Sequence, residues 1–154
     1  MMLDVVLNNF TTDKRYRAGF FKRILQKALD NIGLRARNVE LSINLMGENR
    51  IRALNKKYLR KNRTTDVLSF PINDNSNKIS IKPADNGIMA LGDIFICLPA
   101  AKRSALKEGV DLSSKLALLA IHGLLHLLGY DHEKSAKEAK KMFKLQGEIM
   151  KISE

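Results

Sequence analysis

The chain has 154 residues, of which 45% are hydrophobic and 28% are charged, an ordinary composition for a globular protein of one domain. No apolar run is long enough to cross a membrane, and the N-terminus lacks the basic and apolar regions of a secretion signal. The single cysteine, Cys97, excludes an internal disulfide. We therefore expect one cytoplasmic domain over residues 1–154, without a membrane partner.

The positive charge is concentrated in the first part of the chain. Residues 1–65 carry 15 Lys and Arg against 5 Asp and Glu, whereas residues 66–154 carry 12 against 11. An uneven net charge of +11 favours a polyanionic partner. Nucleic acid fits better than a membrane surface, since no segment combines a basic face with a strongly apolar one. A basic surface that binds no nucleic acid is the alternative.

Hydrophobic periodicity predicts strands and helices along most of the chain. Residues 13–31 show the apolar stripe of an amphipathic helix, with Thr12 or Asp13 as its cap. Residues 39–46 alternate apolar and polar side chains, which is typical of a half-buried strand, here expected near a sheet edge. The other strands are expected over residues 3–8, 67–71 and 91–97, and the other helices over residues 48–59, 99–109 and 133–151, with a further helix that begins at Asp111. Residues 72–90 show little pattern and read mainly as a connection.

The helix that begins at Asp111 is apolar on nearly all sides, as expected for the buried centre of a fold. The whole pattern predicts an α+β fold, in which a small mixed β-sheet packs with about five helices. Between residues 50 and 65 there are seven basic residues and no acidic one, and residues 60–66 read as a loop. Arg, Lys and Thr side chains in such a loop can donate to phosphate oxygens.

All three histidines of the chain, His122, His126 and His132, lie at the end of this central helix. His122 and His126 are one turn apart on the same face, so both imidazoles can reach one metal ion. Gly129 stands where a helix usually ends, because glycine adopts the left-handed conformation without penalty. A chain reversal there brings His132 back as a third ligand. Three protein ligands and one open position are typical of a catalytic zinc site.

The spacing His-x3-His-x5-His is also that of the metzincin zinc proteases. Those enzymes carry a glutamate directly after the first histidine, where it acts as general base. Gly123 occupies that position here, so the site can hold zinc but lacks the group that peptide hydrolysis needs there. A zinc metalloprotease is therefore an alternative that shares only the ligands.

Three stretches resemble motifs of the YbeY family of bacterial endoribonucleases: residues 122–132, residues 54–58 followed by 65–71, and residues 91–94. The resemblance implies a single-strand-specific, metal-dependent endoribonuclease. It implies action in ribosomal RNA maturation, especially at the 3′ end of the small-subunit rRNA, and in ribosome quality control. RNA and the ribosome or its small subunit would be the partners, and one zinc ion would bind His122, His126 and His132.

The family also has an arginine directly after the aromatic residue of its second motif. Here Leu59 follows Tyr58, and Arg60 can replace that arginine if the loop shifts by one residue. Arg63 or Lys61 are the alternatives. The residues expected to bind RNA are Arg60, Lys61, Arg63, Thr65 and Ser69, and those expected to act in catalysis are Arg60 and Asp131.

Several points of chemistry stay open at this stage. Asp131 is the nearest candidate for a general base, but it can equally orient a ligand histidine. Attack by the 2′-hydroxyl of the RNA needs no protein nucleophile. Imidazole ligands also suit nickel, copper and iron. A third function is a ribosome-assembly factor with a structural zinc, which requires Glu133 or Asp131 as fourth ligand.

Overall fold

The structure, a computed structural model, describes residues 2–34, 38–72 and 87–153. Most of the expected connection over residues 72–90 lies outside the described residues. In chain order the elements are β1 (Met2–Asn9), α1 (Ala18–Ile32), β2 (Asn38–Met46), α2 (Glu48–Leu59), β3 (Val67–Pro71), β4 (Ile88–Cys97), α3 (Leu98–Glu108), α4 (Leu112–Leu127) and α5 (Ala136–Ser153). The α+β fold with a small mixed sheet and about five helices is confirmed.

Helix α1 begins at Ala18 rather than near residue 13. The Asp13 carboxylate, expected as a cap, instead binds Arg15 at 2.7 Å and Lys102 at 3.1 Å. Hydrogen bonds from Arg15, supported by Lys102, hold the pKa of the Asp13 carboxyl well below its ordinary value. Because its oxygens are engaged by these cations, the N-cap position falls to Arg17, which makes no side-chain cap.

The four described strands form one sheet in the order β1-β2-β4-β3, and only β3 runs antiparallel to its neighbour. Strand β2 therefore lies inside the sheet, and our expectation of an edge position is wrong. Its polar side chains belong to a hydrogen-bonded row: Asn44 Nδ2 donates to Ser42 Oγ at 2.9 Å, and Ser42 donates to Asp93. Asn8 of β1 donates to Asn44 Oδ1 at 2.9 Å. The alternation of β2 thus reflects polar contacts across three strands.

Helix α4 is the centre of the core. It is buried on most sides and packs with β1, β2, β4, α1 and α5 in one large apolar cluster. A smaller cluster joins α2, β3 and α3 and contains Cys97, whose thiol pKa is raised by burial. Among the described residues no single helix is long and apolar enough to cross a membrane, although α3 and α4 together, bent by 116°, pass that test of length and composition.

Strand β3 lies at one edge of the sheet formed by the described strands. Cys97 N–H donates to Asp66 O at 2.8 Å, and Ile72 N–H donates to Leu91 O at 3.1 Å. Since alternate residues of a strand turn their backbone groups to opposite sides, the groups of Val67, Ser69 and Pro71 point away from β4. Pro71 carries no N–H, so its place on this outer side costs the sheet no hydrogen bond.

Candidate active site

The two ends of α4 explain how the sequence positions its histidines. Asp111 caps the start of the helix, and its side chain accepts a hydrogen bond from Ser114 N–H. At the other end Gly129 has a φ of 98°. Gly129 N–H donates to His126 O and Tyr130 N–H donates to Leu125 O, both at 3.0 Å. This pair of bonds ends the helix in a Schellman motif, and the chain then turns back toward α4.

The three histidines converge, as the sequence predicts. The candidate ligand atoms of His122, His126 and His132 all lie within 4.8 Å of one another. His126 Nε2 and His132 Nδ1 are 3.2 Å apart. Within the described part of the chain, no Asp, Glu or Cys joins this group. The cluster therefore offers three ligands, and no carboxylate such as Glu133 or Asp131 is part of it.

Helix α5 adds two side chains to the site that the sequence motifs do not indicate, Gln146 and Phe143. Gln146 Oε1 lies 2.8 Å from His122 Nδ1. Because an amide oxygen can only accept, Nδ1 carries the proton and Nε2 of His122 keeps its lone pair for a metal ion. The Phe143 ring centre is 6.2 Å from that of His122 and 5.6 Å from that of His132, so it flanks the cluster on the α5 side.

Burial keeps two of the imidazoles, those of His122 and His126, in the form that binds metal. Burial, together with the neighbouring imidazoles, lowers the pKa of His126 to about 4. Burial also lowers the pKa of His122, against the opposite effect of its hydrogen bond with Gln146. Both rings are therefore neutral at neutral pH and can act as ligands. Three converging imidazoles are a donor set that fits a divalent ion such as zinc.

Gly123 faces the sheet rather than the histidines. A Cβ atom built at this position would lie 2.8 Å from Cγ2 of Ile94, a fully buried residue of β4. The missing side chain therefore lets α4 approach β4 closely. A glutamate at position 123 would enter the packed interface between helix and sheet, so the protease-type general base has no room there.

A cleft of about 550 Å³ opens at the histidine cluster. Its walls are α4 with the turn after it, the end of α2, and the segment from residue 61 through β3. Four of the five residues expected to bind RNA line this cleft, as does Asp131. The four are Lys61, Arg63, Thr65 and Ser69. Cationic and hydroxyl donors therefore share one cleft with the candidate metal ligands.

Arg60 does not line this cleft. It is the C-cap of α2 and has a φ of 57°, a conformation that non-glycine residues seldom adopt. Lys61 N–H donates to Asn55 O at 3.2 Å, and Asn55 Nδ2 donates to Arg63 O at 3.0 Å. Asn55 is only 2% exposed. The helix end thus fixes the backbone beside Lys61 and Arg63, and the catalytic role of Arg60 stays a prediction.

Asp131 lies in the turn between the second and third histidines. Its Oδ1 accepts a hydrogen bond from Glu133 N–H at 2.9 Å, which holds the turn that carries His132. The same carboxyl lines the cleft. The geometry is therefore compatible with both roles considered from the sequence, a base that faces substrate and a residue that orients a ligand.

Known proteins resemble this chain over nearly its whole length. The sequence model of the family described as Endoribonuclease YbeY matches residues 6–154. Endoribonuclease YbeY of Persephonella marina is 40% identical over 145 residues, which cover 94% of this chain and 89% of the relative. Endoribonuclease YbeY of Oenococcus oeni is 38% identical over 154 aligned residues, with 97% and 95% covered.

The fold has a solved counterpart. The solution structure of TM1509 from Thermotoga maritima matches with a TM-score of 0.61 and 26% identity, covering 97% of this chain and 87% of that one. The resemblance seen in three sequence motifs is thus confirmed by a family match over nearly the full length. Together with the converging histidines, these matches identify the chain as an RNA-cleaving hydrolase that belongs to the YbeY family of endoribonucleases.

Proposed function

We propose that this chain is a zinc-dependent endoribonuclease that cuts single-stranded RNA in the cleft beside His122, His126 and His132. The observation that supports this most directly is the shared cleft: three imidazoles converge where Lys61 and Arg63 also line the wall. These two cations can bind a phosphodiester and hold it near the histidines, although Asp66, Asp131 and Glu133 line the same cleft.

Different residues of the cleft have different roles in the proposed cleavage reaction. The three histidines hold the ion, and a zinc ion bound there supplies a Lewis acid for the phosphodiester and for an attacking water. Arg63 and Lys61 bind the phosphate and balance the charge that develops on its oxygens. Thr65 and Ser69 add neutral donors. Asp131 either accepts a proton from the attacking group or orients His132, and the RNA 2′-hydroxyl is the alternative nucleophile.

The biological substrate that we propose is ribosomal RNA. The motifs and the full-length family match support a role in maturation of the small-subunit rRNA at its 3′ end and in ribosome quality control. The ribosome or its small subunit would then be the partner. We expect one functional domain over residues 1–154, acting in the cytoplasm where ribosomes assemble.

The test is cleavage of end-labelled single-stranded RNA by the zinc-loaded chain beside a His126→Ala variant purified in the same way. We expect internal cleavage by the wild type, loss of cleavage in the variant, and loss in the wild type after chelation. A double-stranded RNA of the same sequence should stay intact.

A matched variant controls for a substitution beside the cluster that removes no ligand, and circular dichroism of His126→Ala checks that its fold is retained. Phe143→Leu keeps an apolar side chain beside the same imidazoles and should retain cleavage. Equal cleavage by the wild type and His126→Ala would assign the activity to a contaminant. Cleavage by neither, on free RNA and on small ribosomal subunits alike, would overturn the enzymatic proposal.

A further inference from the structure

Tyr58 is an exposed aromatic residue at the rim of the active-site cleft. Its side chain is 56% exposed although it lies in the last turn of α2. Asn55, one turn before it, and Leu59, directly after it, both line the cleft. The ring of Tyr58 contacts Phe70, which packs on the α2 side of β3.

The ring is held in place by a row of aromatic contacts. Tyr58 and Phe70 meet edge to face, with ring centres 5.4 Å apart and planes inclined by 62°. Phe70 meets Phe95 in the same way at 5.5 Å and 72°. Phe70 and Phe95 pack against the smaller apolar cluster. The Tyr58 ring is therefore held by Phe70 while the residue stays 56% exposed, so binding a planar ligand on it orders little additional structure.

Charge beside the ring favours a nucleotide as that ligand. Lys57 Nζ lies 5.2 Å from the centre of the Tyr58 ring. Leu59, 47% exposed, extends the apolar surface toward the cleft. Proteins that bind single strands combine cationic side chains for the phosphates with aromatic rings on which bases stack. Lys57 and Tyr58 supply these two groups next to the cleft.

We propose that Tyr58 is a stacking platform for one base of the RNA strand, adjacent to the strand segment that occupies the cleft. This inference rests on the proposed function and adds a subsite to it. The platform explains a preference for single strands, because a base within a duplex is stacked and paired and cannot lie on the ring. Lys57 pairs with the phosphate of the same nucleotide.

The experiment uses the fact that the chain contains no tryptophan. Tyr58→Trp introduces a single fluorophore whose emission falls when a base stacks on it. We expect quenching by a short single-stranded RNA, with metal removed by chelation to keep the strand intact. Inorganic polyphosphate, which carries backbone charge but no bases, should not quench. Tyr58→Ala should weaken RNA binding, measured by anisotropy of labelled RNA, by between about 5-fold and 150-fold.

Phe10 provides a matched control. It is 54% exposed, and Arg50 lies over its ring at 4.3 Å, but neither of its chain neighbours lines the cleft, whereas Leu59 beside Tyr58 does. Phe10→Trp should show no quenching, and Phe10→Ala should bind RNA as the wild type does. Zinc affinity should be unchanged in Tyr58→Ala, which separates this subsite from the metal site.

The outcomes distinguish the two proposals. RNA binding by Tyr58→Trp without quenching, or equal loss of affinity in Tyr58→Ala and Phe10→Ala, would overturn the stacking platform and leave the nuclease intact. Absence of RNA binding by the wild type at low salt would overturn both.

Discussion

At the scale of single residues, the contact between Gln146 and His122 decides how one ligand presents itself. The amide oxygen fixes the proton on Nδ1, so Nε2 keeps its lone pair for a metal ion without a change of tautomer. Such outer partners orient a ligand ring before the ion arrives. Metal affinity should therefore depend on a residue that never touches the metal.

We expect Gln146→Leu to lower zinc affinity by about 10-fold to 100-fold, because His122 then loses the acceptor that holds its ring. Gln146→Glu should restore affinity, since a carboxylate oxygen accepts the same hydrogen bond. Competition with a chelating dye measures both. Gln26→Leu is the control, because Gln26 lies on α1 and bonds only Asp30 there, at 3.1 Å. Equal affinities in Gln146→Leu and Gln26→Leu would refute the orienting role.

The same residues show where sequence reasoning reaches its limit. The spacing of the histidines predicts their convergence, because a helix and a glycine-ended turn are local structures. Gln146 is 24 residues from His122, and its contact depends on how α5 docks against α4. Periodicity alone places Gln146 on the inner side of α5 and cannot say what it meets. The position of Arg60 outside the cleft lining has a related cause, because its left-handed cap conformation is not visible in composition.

At the scale of elements, α4 carries both the site and the core, so its capping and packing bear on the site directly. Asp111 accepts a hydrogen bond from Ser114 N–H at 2.7 Å. Hydrogen bonds from Ser114 lower the pKa of the Asp111 carboxyl below its ordinary value of 3.8. The charged carboxylate therefore stabilises the start of α4 above that value.

This cap predicts a pH dependence. The folded-state pKa of Asp111 is depressed, so its contribution is fully present above 3.8 and is lost as the pH falls through the lowered pKa. Asp111→Asn keeps an accepting oxygen but removes the charge. We expect the variant to melt below the wild type at neutral pH and the difference to disappear in strong acid. A difference in Tm that stays constant or grows in acid would contradict this account.

The packing of α4 on β4 predicts opposite effects for two helical glycines. A Cβ at Gly123 would lie 2.8 Å from Ile94, whereas one at Gly147 of α5 meets nothing within 4 Å. Overpacking of this kind costs about 1–3 kcal/mol, more than the about 0.5–1 kcal/mol that alanine gains over glycine in a helix. Urea denaturation should show Gly123→Ala destabilised and Gly147→Ala stabilised. Stabilisation in both would mean that α4 and β4 separate easily.

At the scale of the whole molecule, the net charge and the cleft make different predictions. The chain carries +11, mostly in residues 1–65, but only some of those cations line the cleft. The net charge predicts a polyanionic partner, but it does not show along which surface an RNA strand lies. The fold supplies the path, because it brings residues 61–69 beside the helix that ends at residue 127.

We therefore expect the cations that line the cleft to contribute more to the salt dependence of RNA affinity than the cations elsewhere on the surface. Lys61→Ala and Arg63→Ala should each flatten the slope of log affinity against log salt by about 0.7, the value for one phosphate contact on a single strand. Lys22→Ala, on the exposed face of α1, should leave the slope unchanged. Titrations of labelled RNA over a range of salt concentrations measure it. Arg60→Ala tests the sequence-based assignment, and a slope change as large as that of Arg63→Ala would restore Arg60 to the strand path.

The class of fold followed from the sequence, because alternation and helical periodicity are local. The strand order did not, and β2 illustrates why. Its alternation of apolar and polar side chains suggests an edge strand when the sequence of this strand is considered alone. Asn44 and Ser42 are instead satisfied by β1 and β4, partners far away in the chain. The hydrogen-bond partners of these polar side chains come together only in the assembled sheet, so the pattern of a single strand does not reveal them.

The proline at the end of β3 affects whether molecules of this protein associate with one another. An edge strand with a full row of outward donors and acceptors can pair with the same strand of another molecule and begin an aggregate. Pro71 interrupts the outward donors of β3 beside the cleft, since its ring nitrogen has no hydrogen to offer. Replacing it with valine would complete the row, and such a chain should self-associate at concentrations where the wild type stays dispersed.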